Sequence, residues 1–531
     1  MPRQQRPRTG AAKTGAGGPW RAQSMAAAVL LVAPCTLLFV ANVQEPYMDE
    51  IFHIPQAQRY CRGDLAAWDP KITTLPGLYY AALALLPALS ATARAAEATL
   101  RVIGAAAPPP LPAPPALAEH TGLWGPQFEC SARELRLMNA MLAVPTAAAA
   151  HRILEHVHGP APADERWRLP MRVAVVILFP VQYFFFFLFY TDAVGTLMVL
   201  LTYERCLARN VWAASIFGAA AIMCRQTNAV WVVFCGGAVA IRRIQEASPS
   251  SLHASAGLMA HVRNGVRLLL SPLLLGIVRQ VAPLITIVFA FLAFVVRNGG
   301  VAVGDKANHQ AGLHPMQPAY WMLLVLGTMW PYLVSPSRIM RFLRALAASR
   351  VQAVAWLLLL LAGARYYTYA HPFLLADNRH YTFYLWKNVF RRVPAARYAL
   401  APVYMFGGWS CWVSTCRVCS PLWIAWFLFC SALVVVPTGL LEFRYFLVQT
   451  LLLLLHQPTY TQARAQEKKD ADSSNARPAT TALSVTASDL PWRLADEVSL
   501  VMYLFINAAT IYIFVFRPFQ WPDGSVARFM W

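Results

Sequence analysis

The stretch Glu45-Pro46-Tyr47-Met48-Asp49-Glu50-Ile51-Phe52-His53-Ile54-Pro55 sets the adjacent carboxylates of Asp49 and Glu50 beside one imidazole. On a helix Asp49 and His53 stand at i and i+4, and Glu50 and His53 at i and i+3, so either pair shares a face. A carboxylate with an imidazole close by can serve as a general base, taking the proton of a hydroxyl as that hydroxyl attacks. The same residues also suit a plainer task, because carboxylates in the first turn stabilise a helix through its dipole. Spacing alone leaves both readings standing.

Other polar words sit between apolar runs. Trp68-Asp69-Pro70-Lys71-Ile72-Thr73-Thr74 offers Trp68, Asp69 and Lys71 to sugar hydroxyls or an anion. Further on come Arg225, Gln226 and Asn228; then Lys306, His309 and His314; then Asp377, Arg379, His380 and Tyr381; and finally Glu442 and Arg444. Arginine presents a planar fork to a phosphate and lysine a point charge, so these cations suit a phosphorylated ligand. His309 and His314, five residues apart with no helical frame to set them, make a poor metal signature, and no metal site is expected. Walker A, G-x-S-x-G and G-x-G-x-x-G sequences are missing, which removes support for soluble nucleotide chemistry.

The elements that must position these words lie in a bilayer. Of 531 residues, 58% are hydrophobic and 13% charged, against about 25% charged in an ordinary soluble domain. The net charge of +20 and the mean hydropathy of +0.44 point to positive-inside loops and anionic lipid, with no nucleic-acid partner. Apolar runs long enough for the ~30 Å hydrocarbon core recur about a dozen times. The expected class is an all-α polytopic membrane protein with about 12 transmembrane helices.

A basic tail, residues 1–24, precedes a first span from Met25 to Val43; positive-inside places the tail in the cytosol and residues 44–133 in the lumen. A cleaved signal peptide fits the same pattern and leaves that loop luminal. The apolar run from Gly77 to Ser90 is too short to cross and reads as re-entrant or interfacial, an assignment that keeps the later arginine clusters cytosolic. The main transmembrane region is expected over 25–457, a polar cytosolic linker over 458–497, and the last helix with its tail over 498–531. On this topology the polar words above all face one side of the membrane and can converge.

Cys61 and Cys130 share the first luminal loop, where an oxidising compartment permits a disulfide between them. Cys416 and Cys419 form an isolated C-x-x-C in an apolar stretch and are expected to be ordinary buried thiols.

The strings YMDEIFHIPQAQRYCRGD and WDPKITTLPGLYY resemble the dolichyl-phosphate-glucose-dependent α-1,2-glucosyltransferases of the endoplasmic reticulum, and FYTD, RQTN, GDKANH, ADNRHYTFYLWK, LEFRYF and RFMW continue the resemblance in order. The chain departs from that pattern in Ala- and Pro-rich insertions near residues 91–119, in the polar stretch 462–490 and in a longer basic N-terminus. The resemblance implies a GT-C-type helical bundle in the endoplasmic-reticulum membrane, with a long first luminal loop that carries an acidic motif. It implies dolichyl-phosphate-glucose as donor, a diglucosylated lipid-linked oligosaccharide as acceptor, membrane lipids as surroundings and no cofactor. Asp49 coincides with the acidic motif and becomes the candidate base, with Glu50 behind it. Lys306, Arg225, Arg379 and Arg444 become candidates for the leaving phosphate. Another polyprenyl-phosphate-sugar transferase of the same fold would share these features. A transporter would instead gather its ionisable groups near the bilayer midplane.

Overall fold

The computed structural model describes residues 19–87, 89, 130–159, 162–247, 263, 266, 272–306, 311–459, 462 and 494–531. The first part of the basic tail, the proline-rich patch 108–115 and most of the linker 458–497 lie outside the described residues. Among the described residues the chain is mostly helical, and its one sheet is the antiparallel pair Phe519–Gln520 and Val526–Ala527. Pro19–Asn42, Leu273–Asn298 and Ala495–Phe516 are each long and apolar enough to cross a bilayer. Pro336–Ala348 and Arg350–Tyr366, meeting at a bend of 104°, add a fourth if they act as one broken span. The chain is a multi-pass membrane protein.

Two of the apolar runs are interrupted. The run from Leu135 to His151 divides into Ala132–Met141 and Ala143–His158, and the run from Val173 to Phe189 into Arg168–Ile177 and Pro180–Phe185. Pro180 explains the second break. A residue before proline is pushed out of the α region, and Phe179 takes φ −50°, ψ 120°. Carbonyls freed by such a break cost several kcal/mol in an apolar medium unless they are matched. Asn139 Nδ2 donates to Phe185 O (2.8 Å) and Leu188 O (2.6 Å), and Asn507 Nδ2 donates to Leu178 O (2.8 Å). Run length in a sequence does not show where such side-chain amides will replace the helix ladder.

The acidic word opens the helix Glu50–Cys61, which follows the first span directly. A disulfide joins its end, Cys61, to Cys130 at a Cα separation of 6.3 Å. Cys130 leads into Ala132–Met141, whose start is fixed by a capping box between Ser131 and Glu134. Arg136 on that helix then reaches the acidic word. Its Nε lies 2.9 Å from Glu50 Oε1 and its Nη2 2.5 Å from Oε2, while the rest of the guanidinium donates to the carbonyls of Val43 and Glu45. Glu50 also accepts from the backbone N–H of Phe189 (2.7 Å) and of Tyr47 (3.0 Å). The carboxylate is therefore saturated, and it is wholly buried. Cys416 and Cys419 remain unbridged thiols.

Truncating Arg136 would strand a buried carboxylate, a change that typically costs about 3–5 kcal/mol. Arg136→Ala is expected to lower the thermal midpoint of the detergent-purified protein clearly, and the double change Arg136→Met with Glu50→Gln to recover part of the loss. Unchanged melting of the single variant would show that the pair does not hold the helix.

Candidate active site

With Glu50 turned into the protein, Asp49 is the one of this adjacent pair presented outward. It occupies the cap position of its helix but makes no side-chain cap bond, so stabilising the helix start does not exhaust its role. Its backbone N–H donates to the Tyr190 hydroxyl (3.0 Å), and its Oδ2 accepts from Arg444 Nη1 at 2.8 Å. Arg444 also pairs with Glu442 and lies 4.0 Å from Asp192 Oδ2. Asp192, at the start of the helix Thr191–Leu207, pairs in turn with Arg225. The Tyr445 ring stands between the two arginines, 5.5 Å from each guanidinium carbon. Residues far apart in the chain thus form one alternating lattice of acids and arginines.

Burial acts first on the Asp49 carboxyl and by itself would raise its pKa. Arg444, then His53 and His380, outweigh it and hold the group below the usual carboxylate value. His53 moves the other way. Burial, helped by Arg444, depresses the imidazole against the pull of Asp49. Its Nδ1 lies 2.7 Å from the Tyr79 hydroxyl, and the Tyr79 ring meets Trp68 edge-on at 5.9 Å.

The WDPKITT word packs beside this group. Asp69 Oδ1 accepts from the Lys71 N–H at 2.9 Å and closes its own turn, while Lys71 Nζ lies 5.3 Å over the Phe52 ring. Gln226 Nε2 donates to Thr73 O (2.7 Å), as does the Val303 N–H (3.0 Å), and the Asp305 N–H donates to Pro70 O (3.0 Å). Gly304 is required at this junction, since a Cβ there would stand 2.1 Å from Pro70 O. Three expected words thereby meet.

A fourth word joins through electrostatics. Arg379 forks onto Asp377 with two contacts of 2.8 Å, and His380 Nε2 lies 3.8 Å from Asp377 Oδ2. Burial opposes the Asp377 carboxylate, but Arg379 and His380 together keep its pKa low. Tyr381 packs edge-on against Trp531 at 5.3 Å.

Some expected residues do not reach Asp49. Asn228 turns back to Ala221 O (2.9 Å), Lys306 closes on the end of the preceding helix at Asn298, and the His314 ring lies tilted against Tyr369 (5.1 Å). His309 lies outside the described residues. Conversely, Asp192, Tyr190, Tyr445 and Arg136 belong to the lattice without having been singled out. FYTD carried the signal for two of them, an aspartate in the first turn after a tyrosine at a span end. Among the described residues no three His, Cys, Asp or Glu side chains gather as a metal site.

A family model described as the DIE2/ALG10 family matches residues 43–455. A human protein named Dol-P-Glc:Glc(2)Man(9)GlcNAc(2)-PP-Dol alpha-1,2-glucosyltransferase is 33% identical over 525 residues, covering 96% of this chain and 98% of its own. Proteins of the same name from Arabidopsis thaliana and Drosophila melanogaster are 30% and 29% identical, over 94% and 97% of this chain and 98% and 100% of theirs. No solved structure matches the chain.

A depressed carboxyl pKa stabilises the fold above the unfolded value, and that contribution is lost as pH falls through the lower folded value. The difference in melting temperature between the protein and its Arg444→Gln variant is therefore expected to stay level from pH 8 to 5 and to shrink only below about pH 4. Melts followed by tryptophan fluorescence across that range measure it. A difference that widens toward acid would mean that the Asp49–Arg444 pair does not carry the effect.

Proposed function

Because the chain belongs to the DIE2/ALG10 family, we propose that it transfers glucose from dolichyl-phosphate-glucose to the terminal glucose 2-hydroxyl of the diglucosylated lipid-linked oligosaccharide Glc2Man9GlcNAc2-PP-dolichol. It is a dolichyl-phosphate-glucose-dependent α-1,2-glucosyltransferase, and near full-length relatives of that name in animals and plants support this reading. In our reading the chain is a GT-C-type bundle of about 12 spans in the endoplasmic-reticulum membrane. Its N-terminus is cytosolic, and its long loop 44–133 carries the acidic word into the lumen.

The observation that carries the mechanism is a difference in exposure within one lattice. The Asp49 side chain is 37% exposed, against 19% for Asp377, 7% for Glu442, 1% for Asp192 and 0% for Glu50. Asp49 is the carboxylate a hydroxyl can reach. It accepts the acceptor's 2-OH proton as that oxygen bonds to the donor anomeric carbon from the face opposite the phosphate. The anomeric C–O bond breaks, β becomes α, and dolichyl phosphate departs with the electron pair. Its charge falls on arginines already ordered by carboxylates, Arg444, Arg225 and Arg379, so little reorganisation accompanies the step. No metal or cofactor forms part of the proposal. Glu50 acts through position, holding the turn from which Asp49 projects.

Purified protein given dolichyl-phosphate-glucose and the diglucosylated acceptor in EDTA is expected to add a single hexose, read by mass analysis of the glycan. Asp49→Asn, at normal expression and melting temperature, is expected to lose roughly 10²–10⁴-fold in rate. Full activity in that variant would remove Asp49 from the mechanism, and transfer from another sugar donor in preference to glucose would reassign the substrate.

A further inference from the structure

Residues 528–531 touch three words of the proposed site, those around Tyr47, His380 and Phe443. The tail reaches them by folding back on the last helix. Arg528 Nη1 donates to the carbonyls of Phe514 (2.7 Å) and Val515 (2.9 Å), binding the tail to the C-terminal turn of Ala495–Phe516, where free carbonyls favour a cation. The hairpin between them turns at Gly524, whose φ of 83° suits a residue without a Cβ.

From there the contacts run to the site. The Tyr47 hydroxyl, two residues before Asp49, accepts from the Arg528 N–H and donates to the Arg528 carbonyl, both at 2.6 Å. The Met530 N–H donates to Arg379 O (2.9 Å), and the Tyr381 N–H donates to Met530 O (3.1 Å), so the tail brackets His380 in a strand-like bridge. His380 Nδ1 lies 3.1 Å from a main-chain oxygen of Trp531, a contact that leaves Nε2 as the atom facing Asp377. The Trp531 ring packs edge-on against Tyr381 (5.3 Å) and Phe443 (5.6 Å), and Phe443 lies between Glu442 and Arg444. Met530 is buried.

We propose that the Arg528–Trp531 segment is a positioning element that fixes the His380 imidazole and the Glu442–Arg444 turn with respect to Asp49. The proposal rests on the reading of Asp49 as the base. The segment touches neither substrate nor the reacting atoms. Its backbone sets the tautomer and orientation of His380, and the Trp531 ring locks the two flanking words at one spacing. The lattice around Asp49 holds a depressed carboxyl and a paired arginine, and both depend on that spacing.

The test uses the full chain carrying Trp531→Ala and Trp531→Phe, with two independent readouts. The first is steady-state transfer. Trp531→Ala is expected to lower kcat at least tenfold with the donor KM changed less than twofold, and Trp531→Phe, which keeps an aromatic face toward Tyr381 and Phe443, to restore most of it. The second needs no activity: diethyl pyrocarbonate modification mapped by mass spectrometry is expected to reach His380 several-fold faster in Trp531→Ala than in the parent. Where Trp531→Ala fails to accumulate, Tyr47→Phe loosens the Arg528 contact alone and is expected to move both readouts the same way. Wild-type kcat in Trp531→Ala would overturn the proposal, as would a loss of kcat with His380 no more reactive, or no rescue by phenylalanine. A parent protein that transfers no hexose would refute the glucosyltransferase reading instead, and the His380 measurement would still decide the role of the tail.

Discussion

The buried pair of Glu50 and Arg136 is the constraint on which the site depends. Two adjacent carboxylates repel each other and compete for the same cations, and a helix start can turn only one of them inward. Arg136 takes Glu50 with two contacts and uses its remaining N–H groups on the carbonyls of Val43 and Glu45, so the turn between the first span and the Glu50–Cys61 helix becomes rigid. The Phe189 N–H completes the arrangement and ties in the irregular segment that ends at Tyr190. Asp49 is left outside because its neighbour is inside. Such a buried pair is costly to assemble, and its use here is conformational: it specifies which acid faces outward.

The outer lattice follows a different rule. Asp49, Arg444, Glu442, Asp192 and Arg225 come from the first loop, a 3-10 turn and two helix boundaries, and each group meets at least one of opposite sign. Near a low-dielectric wall such pairing holds each arginine in one orientation. In the proposed reaction the leaving phosphate meets cations whose rotamers are already set.

Helical class and membrane character are legible in composition because a bilayer demands apolar length and little else. The words around Asp49, Trp68, Arg225, Asp377 and Glu442 are legible as polar density at the ends of apolar runs. What spacing could not tell was which carboxylate is presented, since Asp49 and Glu50 both suit His53 on a helix. That choice is made by Arg136, 86 residues from Glu50. Asp192 escaped because a lone acid in a first turn looks like a dipole partner, and the tail was legible only as the string RFMW, since its contacts to Tyr47 and His380 run through the main chain, which spacing does not show. Breaks such as the one before Pro180 were hidden for a related reason, because the amides that satisfy them come from distant helices.

The Cys61–Cys130 bridge spans 69 residues of sequence. It clamps the two ends of that stretch together, so whatever lengthens the middle adds little strain at the ends: doubling a loop adds only about 0.6 kcal/mol of closure cost. The same stretch carries Asp69, Lys71 and Tyr79, so the bridge also closes the loop that lays the WDPKITT word against the helix Glu50–Cys61.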